Sequence, residues 1–182
     1  MMRWRAVLLA GGRSSRMGSD KALLPWGTGT LLTHMHALLS AAGAREVIVS
    51  GDRPGLQGIP DARADTGPMG ALAQLASRLQ DGAWVVVPVD MPLLSVELLQ
   101  ALLATGGTCA CVEGHPLPMA LRLGADVRGV LEDIGNREGR ERSLRALQEL
   151  LHAVHVPAAP WQQALRNCNT PEDWIALRGV VR

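Results

Sequence analysis

The chain has 182 residues, 47% of them hydrophobic and 19% charged, with a net charge of +1. This length fits one domain over residues 1–182 with a substantial core, in an ordinary globular composition. A near-neutral balance excludes a bulk electrostatic case for nucleic acid or membrane surfaces, so any anion site is local. There are five Trp and no Phe or Tyr, so the core rests mainly on Leu, Val and Ala. Cys109, Cys111 and Cys168 are odd in number and lack common zinc spacing. They read as small buried apolar residues, and a reducing cytoplasm is the expected compartment. The apolar run at 6–10 is too short for a signal-peptide core or a membrane span.

Residues 4–9 are an apolar run ended by Gly11 and Gly12, which reads as a buried first strand. Residues 13–29, rich in Gly, Ser, Arg and Pro, read as a long loop holding one helical turn. Leu31, Leu32, Met35, Leu38 and Leu39 give a helix over 30–42 its apolar face, with Gly43 at its stop. A second strand follows at 46–50, then a loop over 51–68 heavy in Gly, Pro and Asp. Leu72, Leu75, Ala76 and Leu79 mark a helix over 69–79. Residues 84–89 are a third buried strand. A helix over 95–104 has Ser95 as its N-cap. Residues 108–112 and 117–123 read as extended, 142–151 as an amphipathic helix and 153–156 as a short strand. The last helix, 170–177, has Thr170 as cap, Pro171 at its first position and Asp173 completing a capping box.

Strands alternating with helices imply an α/β fold: a Rossmann-like three-layer sandwich, its mainly parallel sheet covered by helices on both faces. Ligands of such sheets sit at the carboxyl ends of the strands. Gly11-Gly12, Gly51-Asp52 and Asp90 all lie directly after strands.

The segment from Leu9 to Lys21 is a glycine-rich loop after a buried strand, carrying Arg13, Arg16 and Lys21. Glycines let backbone N–H groups approach a ligand closely, and the cations spread over several phosphate oxygens. Neither the P-loop pattern nor the dinucleotide fingerprint fits it. Asp90 stands in Pro88-Val89-Asp90-Met91-Pro92, where prolines fix the chain on either side. A carboxylate at a strand's carboxyl end is placed to hold Mg²⁺, which takes its other oxygens from phosphates and water. No His or Cys is spaced as a nucleophile–base pair.

Leu9-Ala10-Gly11-Gly12, Arg16-Met17-Gly18 and Asp20-Lys21-Ala22-Leu23-Leu24 together resemble the signature of the nucleoside-triphosphate transferases related to sugar-nucleotide pyrophosphorylases. Within them the chain resembles the molybdenum cofactor guanylyltransferases, which join GMP from GTP to the terminal phosphate of molybdenum-molybdopterin. The resemblance puts Leu9, Ala10, Gly11 and Gly12 near the base and Arg16 and Lys21 on the phosphates. It makes Asp90 the Mg²⁺ ligand of a Pro-x-Asp-x-Pro site. Gly67-Pro68-Met69-Gly70 is similar to the family's Gly-Pro turn into a helix, which adds Gly70 to the nucleotide site. An upstream Asp also lies near the nucleotide in the family; Asp61 fits its spacing better than Asp65. Where family members carry Asn, this chain has Asp52, whose carboxylate is able to accept from guanine N1–H and N2–H together.

Asn167-Cys168-Asn169-Thr170-Pro171-Glu172-Asp173 is similar to the family's closing segment, and Asn167 and Asn169 become contacts for the pterin. Gly11 and this Asn pair lean toward guanylyl transfer, since cytidylyl relatives open with Leu-Ala-Ala-Gly. A CTP-dependent transferase, a sugar 1-phosphate transferase and a non-catalytic nucleotide-binding protein are the alternatives. The family also implies transient contact with cofactor-synthesis proteins and acceptor molybdoenzymes.

Overall fold

The computed structural model describes residues 3–11, 20–62 and 66–179. Gly12, Arg13, Arg16 and Asp65 therefore lie outside the described residues. The first strand is β1, Trp4–Leu9, flanked in parallel by the edge strand β4, Val47–Ser50, and by β5, Gly82–Pro88. Beyond β5 come β7, His115–Leu123, then β6, Cys109–Val112, then β8, Val154–Val156. Within this six-stranded sheet β7 alone runs against the rest, pairing antiparallel with both β5 and β6. The sheet is thus mostly parallel, as the alternating pattern implies.

Side chains alternate across the sheet, and β1 and β5 each feed two cores. Ala6, Leu8, Val85 and Val87 face one layer, built on α1, Leu31–Ala41, α3, Val96–Ala104, and α6, Pro171–Arg178. Val7, Leu9, Trp84 and Val86 face the other, built on α2, Gly67–Ala76, α4, Ala125–Gly135, and α5, Leu144–Leu150. Burial on both faces explains why β1 beyond Arg5, and β5, read as continuous apolar runs rather than alternating ones.

Local signals hold at several helix ends. Thr30, Ser95, Ser143 and Thr170 each accept a backbone N–H at their helix starts. Thr170 and Asp173 form a full capping box with Pro171 in the first turn. Three features differ from the sequence pattern. No element is expected over 124–141, yet α4 covers most of it. Val127, Leu131 and Ile134 do carry helical spacing there, but Gly124 gives no side-chain cap and Gly129 is a poor helix former within the run. The loop over 13–29 holds a 3₁₀ turn, Lys21–Leu23, and also a small hairpin, β2, Pro25–Trp26, with β3, Gly29–Thr30. Helix α2 starts earlier than residue 69 and stops at Ala76, its first turn containing Pro68. Among the described residues, no helix is long and apolar enough to cross a membrane.

The register aligns the carboxyl ends of β4, β1 and β5: Leu9 pairs with Ser50 on one side and Pro88 on the other. The segments after these strands therefore share one edge of the sheet. Leu72 of α2 is fully buried in the second core. We expect Leu72→Ala to lower unfolding free energy by about 2–5 kcal/mol, read by urea denaturation, because the cavity only partly collapses.

Candidate active site

Strand pairing continues past the named ends and draws three loops together. Ala10 N donates to Ser50 O at 2.8 Å, and Val89 N donates to Leu9 O at 3.0 Å. Leu9 and Ala10 are buried, whereas Gly11 is exposed at the edge. Gly51 turns with φ +122°, and a Cβ there would lie 2.8 Å from Gly11 N. Only glycine allows these two backbones to meet.

Asp61 reaches the same corner. Its Oδ1 accepts from the buried Ser50 hydroxyl at 3.3 Å, and its Oδ2 lies against Gly11. A Cβ on Gly11 would come within 2.6 Å of that oxygen, so an alanine at 11 requires Asp61 to move. Helix α2 holds the segment: Gln74 Oε1 accepts from Ala62 N at 2.6 Å and its Nε2 donates to Pro60 O at 2.8 Å. Gly70 is on the same helix. A side chain at 70 would meet Thr66 Cβ at 2.3 Å, so its contact in this structure is packing. Asp52 is exposed at the rim beside Gly51.

Asp90 sits just beyond β5, only partly accessible, with its backbone carbonyl accepting from Cys168 N at 2.8 Å. The Lys21 ammonium donates to Asp90 Oδ2 at 3.4 Å and to Asn169 Oδ1 at 2.6 Å. These three groups come from the 3₁₀ turn after the first loop, the end of β5 and the entry to α6. The α6 cap fixes the third: Asp173 Oδ2 accepts from Asn169 N at 3.1 Å and from Thr170 N at 2.9 Å. Those backbone donors hold the Asp173 carboxyl below its ordinary range. Asn167 is exposed and is not among the contacts of this cluster. Asn169 is thus brought to Lys21 and Asp90, and Asn167 is not.

Several members of this corner were not assigned a role from the sequence. Arg53, Asp20, Ser50 and Gln74 all hold it by hydrogen bonds. Arg53 lies next to Asp52 in the motif after β4, and Asp20 precedes Lys21 in the signature. Neither position shows its partner until the loops are folded, because the contact spans 33 residues. His115 lies elsewhere. It lines a groove of about 300 Å³ with Cys111, Gln148 and His155, which shares no residue with the Asp90 cluster.

The electrostatics suit phosphate chemistry rather than covalent catalysis. Burial pushes the Cys168 thiol up to about 11, which keeps it protonated and non-nucleophilic at neutral pH. Among the described residues no group of His, Cys, Asp and Glu forms a ready-made metal cage. A lone carboxylate fits Mg²⁺ nonetheless, because that ion keeps several waters and shares one or two carboxylates with substrate phosphates. Asp90 and Lys21 together offer an oxygen ligand and an ammonium at one point, the arrangement a triphosphate with its cation requires.

Burial raises the Asp90 pKa above its ordinary value, and the Lys21 charge and hydrogen bond offset only part of this. The folded state therefore holds the Asp90 proton more tightly than the unfolded chain does. The stability contributed by Asp90 is greatest at low pH and falls as pH rises from the unfolded pKa through the raised folded one. At pH 7 without divalent cation we expect Asp90→Asn to raise Tm. A Tm that falls on this substitution contradicts the balance.

Residues 6–168 match the family model described as the MobA-like NTP transferase domain. Over 178 residues the chain is 52% identical to the molybdenum cofactor guanylyltransferase of Xanthomonas euvesicatoria, covering 96% of this chain and 94% of that protein. Among solved structures, a nucleotidyl transferase from Methanothermobacter thermautotrophicus superposes with a TM-score of 0.78 at 19% identity, over 98% and 97% of the two chains. Molybdopterin-guanine dinucleotide biosynthesis protein A from Archaeoglobus fulgidus superposes with a TM-score of 0.77 at 18% identity, over 97% and 98%. These two share the fold, and the sequence matches carry the relationship further: the chain belongs to the MobA-like NTP transferase family.

Proposed function

We propose that this protein is a molybdenum cofactor guanylyltransferase: it transfers GMP from GTP to the terminal phosphate of molybdenum-molybdopterin and releases pyrophosphate. The observation that carries this reading is the match at 52% identity along nearly the whole of both chains to a guanylyltransferase of that cofactor. The site supports it, because Lys21, Asp90 and Asn169 converge at the carboxyl edge of the sheet, where such folds bind nucleotides.

In the reaction an oxygen of the acceptor phosphate attacks the α-phosphorus of GTP. The bond from that phosphorus to the β-bridging oxygen breaks, and pyrophosphate leaves with the electron pair. The acceptor phosphate is ionised near neutral pH, so no strong base is needed. The chain's task is positioning and charge neutralisation. Lys21 and Arg16 are the groups we assign to the phosphates, where they stabilise charge on the leaving pyrophosphate. Asp90 is the residue we assign to hold Mg²⁺. When bound, the cation neutralises phosphate charge and aligns the oxygens for displacement.

Leu9, Ala10 and Gly11 form the edge against which we place the nucleotide, with Asp61 and Gly70 supporting it; Gly12 is assigned to the same nucleotide by its motif. Asp52, exposed beside them, is the acceptor we assign to guanine. Asn169 and Asn167 are assigned to the pterin end. Asn169 already meets Lys21, which supports a place between phosphate and pterin. The three cysteines among the described residues are free and buried, in keeping with a cytoplasmic site of action. Transient contact with the proteins that make the pterin cofactor and with the enzymes that receive it belongs to the same reading.

Calorimetry with GTP, CTP, ATP and UTP, each with and without Mg²⁺, tests the reading first. The expected result is Mg²⁺-dependent preference for GTP, weakened in Asp52→Ala. Preference for CTP moves the protein to cytidylyl transfer, and absence of nucleotide binding refutes the reading. In a turnover assay with molybdenum-molybdopterin, Lys21→Ala and Asp90→Ala each lower kcat by about 10²–10³-fold, the scale of one lost transition-state contact. Near-normal turnover in both removes the site assignment.

A further inference from the structure

Arg53 extends from the turn after β4 and reaches two separate targets with one guanidinium. Its Nε and Nη2 donate to Ala10 O at 3.1 and 2.6 Å. Its Nη1 donates to Asp20 Oδ2 at 2.5 Å and its Nη2 to Asp20 Oδ1 at 3.0 Å. The Arg53 side chain is only 14% exposed. A planar fork held from two directions has its orientation fixed, which a lysine's point charge does not achieve. The backbone of Arg53 is fixed as well: its carbonyl accepts from Leu56 N at 3.0 Å and Gly58 N at 2.9 Å. The turn is tightly closed, since a Cβ on Gly58 would lie 2.5 Å from Gly51 O.

Asp20 passes this constraint on. Its Oδ1 also accepts from Ala22 N at 3.0 Å, capping the 3₁₀ turn Lys21–Leu23. Lys21 is the first residue of that turn, and its ammonium lies 3.4 Å from Asp90. A continuous line of contacts therefore runs from the end of β1 through Arg53 and Asp20 to the base of the Lys21 side chain. We propose that Arg53 is a positioning residue: by clamping Asp20 to Ala10 O it sets where the Lys21 ammonium stands relative to Asp90. The clamp is independent of nucleotide choice; its effect on turnover rests on the nucleotidyl-transfer reading above.

Two measurements on Arg53→Ala, Asp20→Asn, the double variant and Arg53→Lys test this. In steady-state turnover each of Arg53→Ala and Asp20→Asn lowers kcat by about 10–100-fold, the scale of a 1 Å misplacement, with nucleotide KM changed far less. The double variant is no slower than the worse single one, because both break one line of contacts. Arg53→Lys stays near Arg53→Ala. In amide hydrogen exchange without nucleotide, the Ala22 N–H of Arg53→Ala exchanges at least about tenfold faster, while the β1 and β5 amides keep their protection. Multiplying effects in the double variant, full activity in Arg53→Lys, or unchanged exchange at Ala22 overturns the proposal. If the parent protein turns over no nucleotide while Ala22 responds as stated, the functional reading fails and the clamp stands.

Discussion

Asp90 carries a negative charge to a place where water does not fully solvate it. Burial raises its proton affinity, and the single ammonium of Lys21 answers only part of that. An ion pair at this depth holds its geometry only when its remaining bonds are satisfied. Here the Lys21 ammonium is shared with Asn169 Oδ1, and Asn169 is in turn fixed by the α6 cap. Removing water from one carboxylate thus requires ordered contributions from the first loop, the end of β5 and the C-terminal helix. The parallel pairing of β1 with β5 is what makes these segments neighbours. Partial exposure keeps the group accessible to a cation and a phosphate, which a fully buried pair would exclude.

Around that pair the edge is built by backbone approach more than by large side chains. Gly11 and Gly51 bring the ends of β1 and β4 into contact, and Asp61 fills the space beside Gly11. The two glycines and the carboxylate form one steric unit, so a methyl at position 11 would disturb more than one loop. Arg53 uses the same closeness. Its guanidinium reaches both Ala10 O and Asp20 because β4 lies directly beside β1. The signature loop is therefore held at both of its described ends by a residue from outside it.

The chemistry that this edge supports needs neither a nucleophilic side chain nor a strong base. Cys168, whose backbone N–H donates to the Asp90 carbonyl, has a buried thiol that stays protonated, in keeping with a site that works by charge placement. Placement at this precision depends on rigid supports. Both cores press on β1 and β5 from opposite faces, and caps at α1, α3, α5 and α6 fix the helix entries.

Much of this was legible in the residues. The apolar runs from Ala6 to Leu9 in β1 and along β5 mark strands buried on two faces, because the period of a one-sided strand is absent. Thr170, Pro171 and Asp173 mark a helix start through local hydrogen-bond chemistry, which needs no distant partner. Lys21, Asp90 and Asn169 stand out by motif, and the fold brings them together. Helix α4 was not legible, because Gly124 and Gly129 mask a stripe of apolar residues that only the second core explains. The reversed direction of β7 was equally hidden, since extended residues look alike in either orientation. Arg53 shows the boundary most clearly. The sequence alone determined that a guanidinium and a carboxylate flank the site motifs. Only the tertiary structure decided that they meet, because a contact across 33 residues depends on which strands lie side by side.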